Sequence, residues 1–367
     1  MTAVDSSDLA EFASSLEKTP RRVLLEDVAR ERLRTVAERT RALSTGGVRV
    51  QPCYSFKTDP ERRLVEIARE NGWFAEVISP EEHAWARECG FADEHTIYNG
   101  PRPLVTDRRI FAAFADSVEA FTHVRDGASS EVFGARLRPP DIPSRFGVDV
   151  PDDVDDLVRA MRAVPPEARL GVSFHLTRSE YERRTWFEFT HTVMQVAADI
   201  ERRSGRRFEL FDVGGGWTQP LLELALEHEF PRMIRALEER LPEVRMVLLE
   251  PGQSITRSTQ AVVATVLEVR ARRNEIVIDA GFADMPQAHD EPPPVSFLCE
   301  GGLERAQPGA GRVLGPYCVE YDIVASDITV PSYVRVGDRV VVHEMGAYDS
   351  SMAFAFAKGG ATSDPLR

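Results

Sequence analysis

The stretch QPCYSFKTDP, Gln51–Pro60, decides how the rest of the chain is read. An alternating apolar run ends at Phe56, Lys57 follows, and Thr58-Asp59-Pro60 is a turn signal. Of the 45 Lys plus Arg residues, only Lys18, Lys57 and Lys358 are lysine. A chain that uses arginine almost everywhere has kept a lysine at the end of a strand expected to be buried. Arginine does not deprotonate in a protein, whereas a desolvated lysine does, and its neutral amine attacks a carbonyl. Lys57 is therefore a candidate Schiff-base residue. The competing explanation is a surface lysine whose stem lies along apolar surface.

Outward from Lys57 the pattern alternates. Strands are expected at 48–56, 74–79, 95–98, 120–124, 132–137, 170–175, 208–213 and 244–250. Helices are expected at 60–71, 80–89, 107–114, 154–164, 186–204 and 221–241. Strands alternating with helices mean βαβ units on a parallel sheet. About eight such units fit a (β/α)8 TIM barrel better than an open sheet. After Thr256 the texture changes to short β-type runs between Gly and Pro turns, such as VGDRVVVHEMGAY (336–348). The expected organisation is an α/β barrel over residues 30–256 and a β-rich domain over 257–367. Residues 1–29 are a candidate extra strand of the second domain.

Composition removes several classes of function. A net charge of −14 argues against a nucleic-acid or anionic-membrane surface. The start MTAVDSSDLAEF lacks the basic and apolar segments of a signal peptide, and no apolar run approaches the roughly 18 residues of a membrane helix. Cys53, Cys89, Cys299 and Cys318 have no metal-ligand spacing and read as reduced thiols, so no metal and a cytoplasmic location are expected.

Several residues stand where chemistry is done in a barrel. Asp212-Val213-Gly214-Gly215-Gly216-Trp217 ends a strand and runs toward a helix, which suits either an anion cradle or a tight βα turn. Glu250, in Glu250-Pro251-Gly252-Gln253, ends the next strand, where a carboxylate reads as functional. His175, in Gly171-Val172-Ser173-Phe174-His175, is a core histidine or a ring stacked on a cofactor. Cys318, in Gly315-Pro316-Tyr317-Cys318, is buried packing or a proton donor. Tyr348, in Met345-Gly346-Ala347-Tyr348, offers a phenol to a phosphate or caps a turn.

The order YSFK, GVSFH, DVGGGW, EPGQ, GPYC and MGAY resembles the ornithine/diaminopimelate/arginine decarboxylases, over roughly residues 45 to 360. That resemblance implies a fold-type III enzyme using pyridoxal 5'-phosphate, with a barrel of the alanine racemase-like type. It implies that Lys57 carries the cofactor as an aldimine and that His175 stacks on its ring. Gly214, Gly215, Gly216, Gly252, Gln253 and Tyr348 would serve the phosphate, and Glu250 the pyridinium nitrogen. Glu76, in FAEVIS, matches an acid near the lysine, and Arg136, in GARLR, an arginine of the LRV-type strand. Cys318 would return a proton to the substrate carbanion from the second subunit of a head-to-tail homodimer with shared active sites.

The departures concern phosphate and substrate. Gln253 stands where the family has arginine, a gap that Arg178 is placed to fill. Val319 replaces the acid that reads the far amino group of a diamino substrate, leaving Glu320 and Asp322 as the acids of the substrate-reading loop. Ala357-Lys358 replaces an Asn-Gly. The expected substrate is thus a modified or conjugated amino acid of a secondary-metabolite, siderophore or polyamine-like pathway. Two rivals are an amino-acid racemase on the same barrel, disfavoured by the GPYC motif, and a non-catalytic decarboxylase-like regulator.

Overall fold

Strand-forming runs too apolar to face water on either side are resolved by closing a ring. In the computed structural model, which describes residues 1–44, 46–102, 104, 108–127, 130–139, 144–177 and 186–358, eight parallel strands form a barrel. They are β1 (Arg49–Ser55), β2 (Phe74–Val77), β3 (Thr96–Tyr98), β4 (Ile110–Ala115), β5 (Ser130–Arg138), β6 (Arg169–Ser173), β7 (Phe208–Asp212) and β8 (Met246–Leu249). Each pairs with the next, and β8 returns to β1 with Met246 beside Arg49 and Leu249 beside Pro52. Parallel strands joined by crossovers all end on the same rim, which is why their C-terminal residues can share one site.

The barrel interior is fitted by size. Gly134 of β5 and Gly171 of β6 leave the space taken by the ring of Phe114. A Cβ on Gly134 would stand 2.8 Å from that ring and 2.3 Å from the Gly171 carbonyl oxygen. Cys53, Ile97, Val132, Leu210 and Leu248 pack in the same cluster. Each such burial contributes on the order of 2 kcal/mol. Outside, the helix Pro80–Glu88 begins at a capping arrangement. Ser79 Oγ accepts the Glu82 amide at 3.1 Å, and Glu82 Oε2 accepts the Ile78 amide at 2.8 Å. The Trp73 indole donates to the Leu33 carbonyl at 3.1 Å, tying β2 to the helix Glu26–Leu43.

Two expected elements are exchanged. The helix expected over 107–114 is the strand β4, and the strand expected at 120–124 is the helix Val118–Gly127. IFAAFA is buried at all six positions, so it has no polar face to betray a period of two, and its alanines favour a helical reading. The helix expected over 221–241 is three pieces, with a π-helical turn at Ala225–Glu229.

By its internal contacts the chain divides into two units, Leu33–Lys57 with Val65–Ser254, and Met1–Arg32 with Thr58–Leu64 and residues 255 onward. The second unit is built on a nine-stranded, mostly antiparallel sheet. Its long strand Gln260–Arg270 pairs antiparallel with Arg21–Leu25 on one side, Leu24 facing Gln260. Its core packs Val262, Val266, Ile276, Phe297, Val340 and Val342. Arg22 is buried there with its guanidinium on backbone carbonyls, that of Met345 and that of Asp284 at 2.9 Å. No helix among the described residues is long and apolar enough to cross a membrane.

Candidate active site

Every barrel strand delivers at least one polar side chain to a single cavity of about 430 Å³. Lys57 follows β1, Glu76 lies in β2, Asn99 follows β3 and Asp116 follows β4. Arg136 lies in β5, His175 follows β6, Asp212 ends β7 and Glu250 follows β8. Lys57, Glu76, Arg136, His175, Gly214 and Glu250 are the expected site residues that this cavity brings together.

Lys57 Nζ is ion-paired with Glu76 Oε2. Glu76 is fully buried, and its Oε1 has no hydrogen-bond partner among the described residues. Burial pushes its carboxyl up to about 7 against the opposing charge of Lys57. Glu250 is treated differently. Burial acts to raise it, but the His175 ring, with Nδ1 3.6 Å from Oε2, and the Lys57 charge together hold it down at about 2. Its Oε1 accepts from Asn99 Nδ2. Asn99 Nδ2 also lies 3.3 Å from Asp212 Oδ2. Asp212 is driven well above the usual carboxylate range, by burial first and then by the charge of Glu250. Two neighbouring carboxyls are thus pushed in opposite directions, Glu250 down and Asp212 up.

The three glycines are required by close approach. Gly214 and Gly216 have φ of +64° and +93°, conformations that side chains resist. A Cβ on Gly214 would meet the Phe174 oxygen at 2.5 Å, one on Gly215 the Glu250 oxygen at 2.4 Å, and one on Gly216 the Leu176 oxygen at 1.9 Å. The Gly214 amide donates to Asp212 Oδ1 at 2.9 Å, and the Gly215 amide to His175 Nδ1 at 3.2 Å. Burial lowers the pKa of the His175 ring, and the nearby Glu250 acts in the opposite direction. Gly252 and Gln253 follow Glu250, with Gln253 opening the short helix Gln253–Thr256 and the Ser254 hydroxyl buried without a partner among the described residues.

The far wall of the cavity carries Asp116, Arg136, Arg145 and Phe146. Arg136 stands 3.9 Å from Asp116 and 5.3 Å from the Phe146 ring centroid, and Arg145 lies over the same ring at 4.3 Å. Asn99, Asp116 and Arg145 were not picked out from the sequence. Asn99 directly follows the strand expected at 95–98, so asking what stands at the end of every strand finds it. Asp116 instead follows β4, whose residues read as a helix in the sequence. Asp212 was quoted only as part of its glycine motif. Arg178 lies outside the described residues.

The remaining expected residues belong to the second unit. Tyr348 is half-buried at φ +64°, its amide donating to the Thr58 carbonyl at 2.8 Å. Cys318 and Glu320 are exposed, and Val319 is half-buried. Asp322 is buried and spends its carboxylate on backbone amides, Oδ1 on Phe282 and Oδ2 on Tyr317, each at 2.7 Å.

Residues 33–257 match the family model described as the pyridoxal binding domain of pyridoxal-dependent decarboxylases. The chain is 23% identical to the L-glutamyl-(BtrI acyl-carrier protein) decarboxylase of Niallia circulans, over 83% of this chain and 79% of that protein. It is 25% identical to the diaminopimelate decarboxylase of Actinosynnema pretiosum subsp. auranticum, over 87% and 78%. Among solved structures, the arginine decarboxylase of Paramecium bursaria Chlorella virus superposes with a TM-score of 0.77 at 17% identity, covering 98% of both chains. The lysine/ornithine decarboxylase of Vibrio vulnificus does so with 0.75 at 22% identity, covering 96% of both. The donor set fits pyridoxal phosphate. It offers a lysine amine beside a buried carboxylate with one unsatisfied oxygen, an ionised glutamate, an imidazole, and glycines where any Cβ would intrude.

Proposed function

The chain belongs to the pyridoxal-dependent decarboxylases, and from that premise we propose that it removes the α-carboxylate of a modified or conjugated amino acid in a biosynthetic pathway. The observation that carries the reading is that the Lys57 amine and an ionised, buried Glu250 face one cavity.

Bound pyridoxal phosphate supplies an aldehyde that condenses with amines and a cationic ring that takes up the electron pair left when carbon dioxide departs. Lys57 would hold the cofactor through Nζ, with Glu76 keeping that amine at the rim and accepting its proton. Glu250 would hold the proton on the ring nitrogen, which an anion at that position favours. His175 would lie against the ring, its own pKa lowered by burial. Gly214, Gly215, Gly216, Gly252, Gln253 and the Tyr348 hydroxyl would bind the phosphate, and Arg136 would close the opposite side. Cys318 Sγ would give a proton to the substrate Cα, reaching the cavity of a second copy in a head-to-tail homodimer. In the same unit as Cys318, Tyr321, Met352, Phe354 and Phe356 are exposed, apolar side chains of the kind that a second copy covers. Four cysteines with no disulfide among the described residues support a cytoplasmic location.

Two facts support a modified substrate. Val319 stands where an acid would pair with a distal ammonium, and a relative carries in its name a glutamyl group attached to an acyl-carrier protein. Purified protein given pyridoxal phosphate should develop a visible absorption band, and borohydride should then fix the cofactor covalently to Lys57, with no labelling in Lys57→Ala. A protein that takes up no cofactor is the non-catalytic regulator that Gln253 leaves open. Carbon dioxide release should be compared between free ornithine, lysine, arginine and diaminopimelate and their acylated or thioester-linked counterparts. Rapid turnover of free ornithine or lysine would defeat the substrate assignment.

A further inference from the structure

Lys358 is one of three lysines in the chain and has no part in the cavity chemistry. It ion-pairs with Asp284 Oδ1, and both side chains are shielded from water, at 15% and 1% exposure. The second oxygen of Asp284 accepts the hydroxyl of Tyr317 at 2.9 Å and the amide of Gly281 at 3.0 Å. Lys358 Nζ also lies 5.7 Å above the Tyr317 ring. A cation suits this place, where one carboxylate oxygen and one ring face must be met together.

Tyr317 immediately precedes Cys318 on the tip that joins the antiparallel strands Pro308–Leu314 and Ile323–Ile328. The tip is wound around its own Asp322, which takes the amides of Tyr317 and Phe282. Gly281 and Gly315 leave room for that carboxylate, since a Cβ on either would stand 2.4 or 2.2 Å from its oxygens. The Phe282 ring sits edge-on to Tyr317 with centroids 5.5 Å apart. Tyr317 is thereby held at its amide, its ring and its hydroxyl, while the next residue, Cys318, stays exposed.

We propose that Tyr317, Asp284 and Lys358 form a clamp that fixes where the Cys318 thiol is presented, making Tyr317 and Lys358 positioning residues for proton return to Cα. The proposal rests on the reading of Cys318 as that proton donor. Burial and the adjacent Asp284 push the Tyr317 phenol far up, so it stays a hydrogen-bond donor at all physiological pH values. A thiol on an exposed turn would otherwise sample many positions, and proton transfer requires a narrow range of distance and angle.

The test uses the full chain and needs neither cofactor nor substrate. Site-resolved alkylation of Cys318 by iodoacetamide is followed in wild type, Tyr317→Phe, Lys358→Met and Lys358→Arg, beside thermal unfolding of each. Tyr317→Phe and Lys358→Met should shift the alkylation rate at least threefold, toward that of a free peptide spanning 315–322, and Lys358→Arg should restore it. Alkylation unchanged in Tyr317→Phe overturns the clamp, whether or not its melting temperature falls, because that pattern is purely structural. Lys358→Met failing to fold would leave Tyr317→Phe to decide. Separately, Cys318→Ala in the decarboxylation assay tests the reading beneath. If Cys318→Ala is fully active, the thiol is not the proton donor, and the positioning role fails even if the alkylation result holds. If Cys318→Ala is impaired, adding Tyr317→Phe should lower turnover little further, since a residue acting through the thiol has nothing left to position.

Discussion

Replacing Asp212 with asparagine should leave the barrel intact at low pH and make it more stable than wild type as pH rises. Asp212 is 1% exposed, accepts the Gly214 amide at 2.9 Å and lies beside the ionised Glu250. Asparagine has the same shape, can accept the same amide and can turn its NH2 toward Glu250. The acid's native pKa is raised above the ordinary 3.8, so its favourable contribution is complete below 3.8 and is lost as pH climbs toward the native value. Over that window wild type should lose about 1.4 kcal/mol per pH unit relative to Asp212→Asn. Asp212→Ala, by contrast, strands the Gly214 amide and removes a donor from Glu250, costing about 2–6 kcal/mol at about 1–3 kcal/mol per buried orphan. The assay is urea unfolding followed by tryptophan fluorescence, from about pH 4 to about pH 7. All 4 tryptophans (Trp73, Trp85, Trp186 and Trp217) lie in the barrel unit, so the signal reports that unit alone. If Asp212→Asn instead loses ground to wild type with rising pH, Asp212 is ionised and the upward shift is wrong.

Glu76 gives a second titration. Its carboxyl is raised from 4.5 to about 7, so the stability it contributes is complete below 4.5 and vanishes as pH rises through about 7. Wild type should therefore fall by up to about 3 kcal/mol relative to Glu76→Gln across that window in the same urea titration; parallel curves would refute it. The glycine cradle is tested by a matched pair at positive φ. Gly205→Ala, at φ +72° with open space around the new methyl, should cost about 1–2 kcal/mol. Gly216→Ala adds a collision with the Leu176 oxygen and should cost about 2–5 kcal/mol in denaturant unfolding. Equal losses would mean that the turn yields where close packing is inferred.

The barrel was legible because its cause is local. Apolar runs of strand length, spaced by helices and ending in Gly, Pro or Asn turns, specify parallel strands whatever surrounds them, and the rim position of Lys57, Gly214 and Glu250 follows from where each run stops. The two exchanged elements mark where local signals run out. IFAAFA (110–115) is buried on both faces, so only its neighbours β3 and β5 make it a strand. The opposite shifts of Asp212 and Glu250 had no signature in the sequence at all, since both are ordinary acids at strand ends. They arise from shared burial and from Asn99, which stands 113 residues before Asp212 and 151 before Glu250. Likewise Lys358 is conspicuous by its rarity, but its partner Asp284 is 74 residues away. The sequence by itself determined where Lys57, Gly214 and Glu250 stand on the rim, through local periodicity and turns. Only the tertiary structure decided their charges and partners, because desolvation and electrostatics depend on what is near in space.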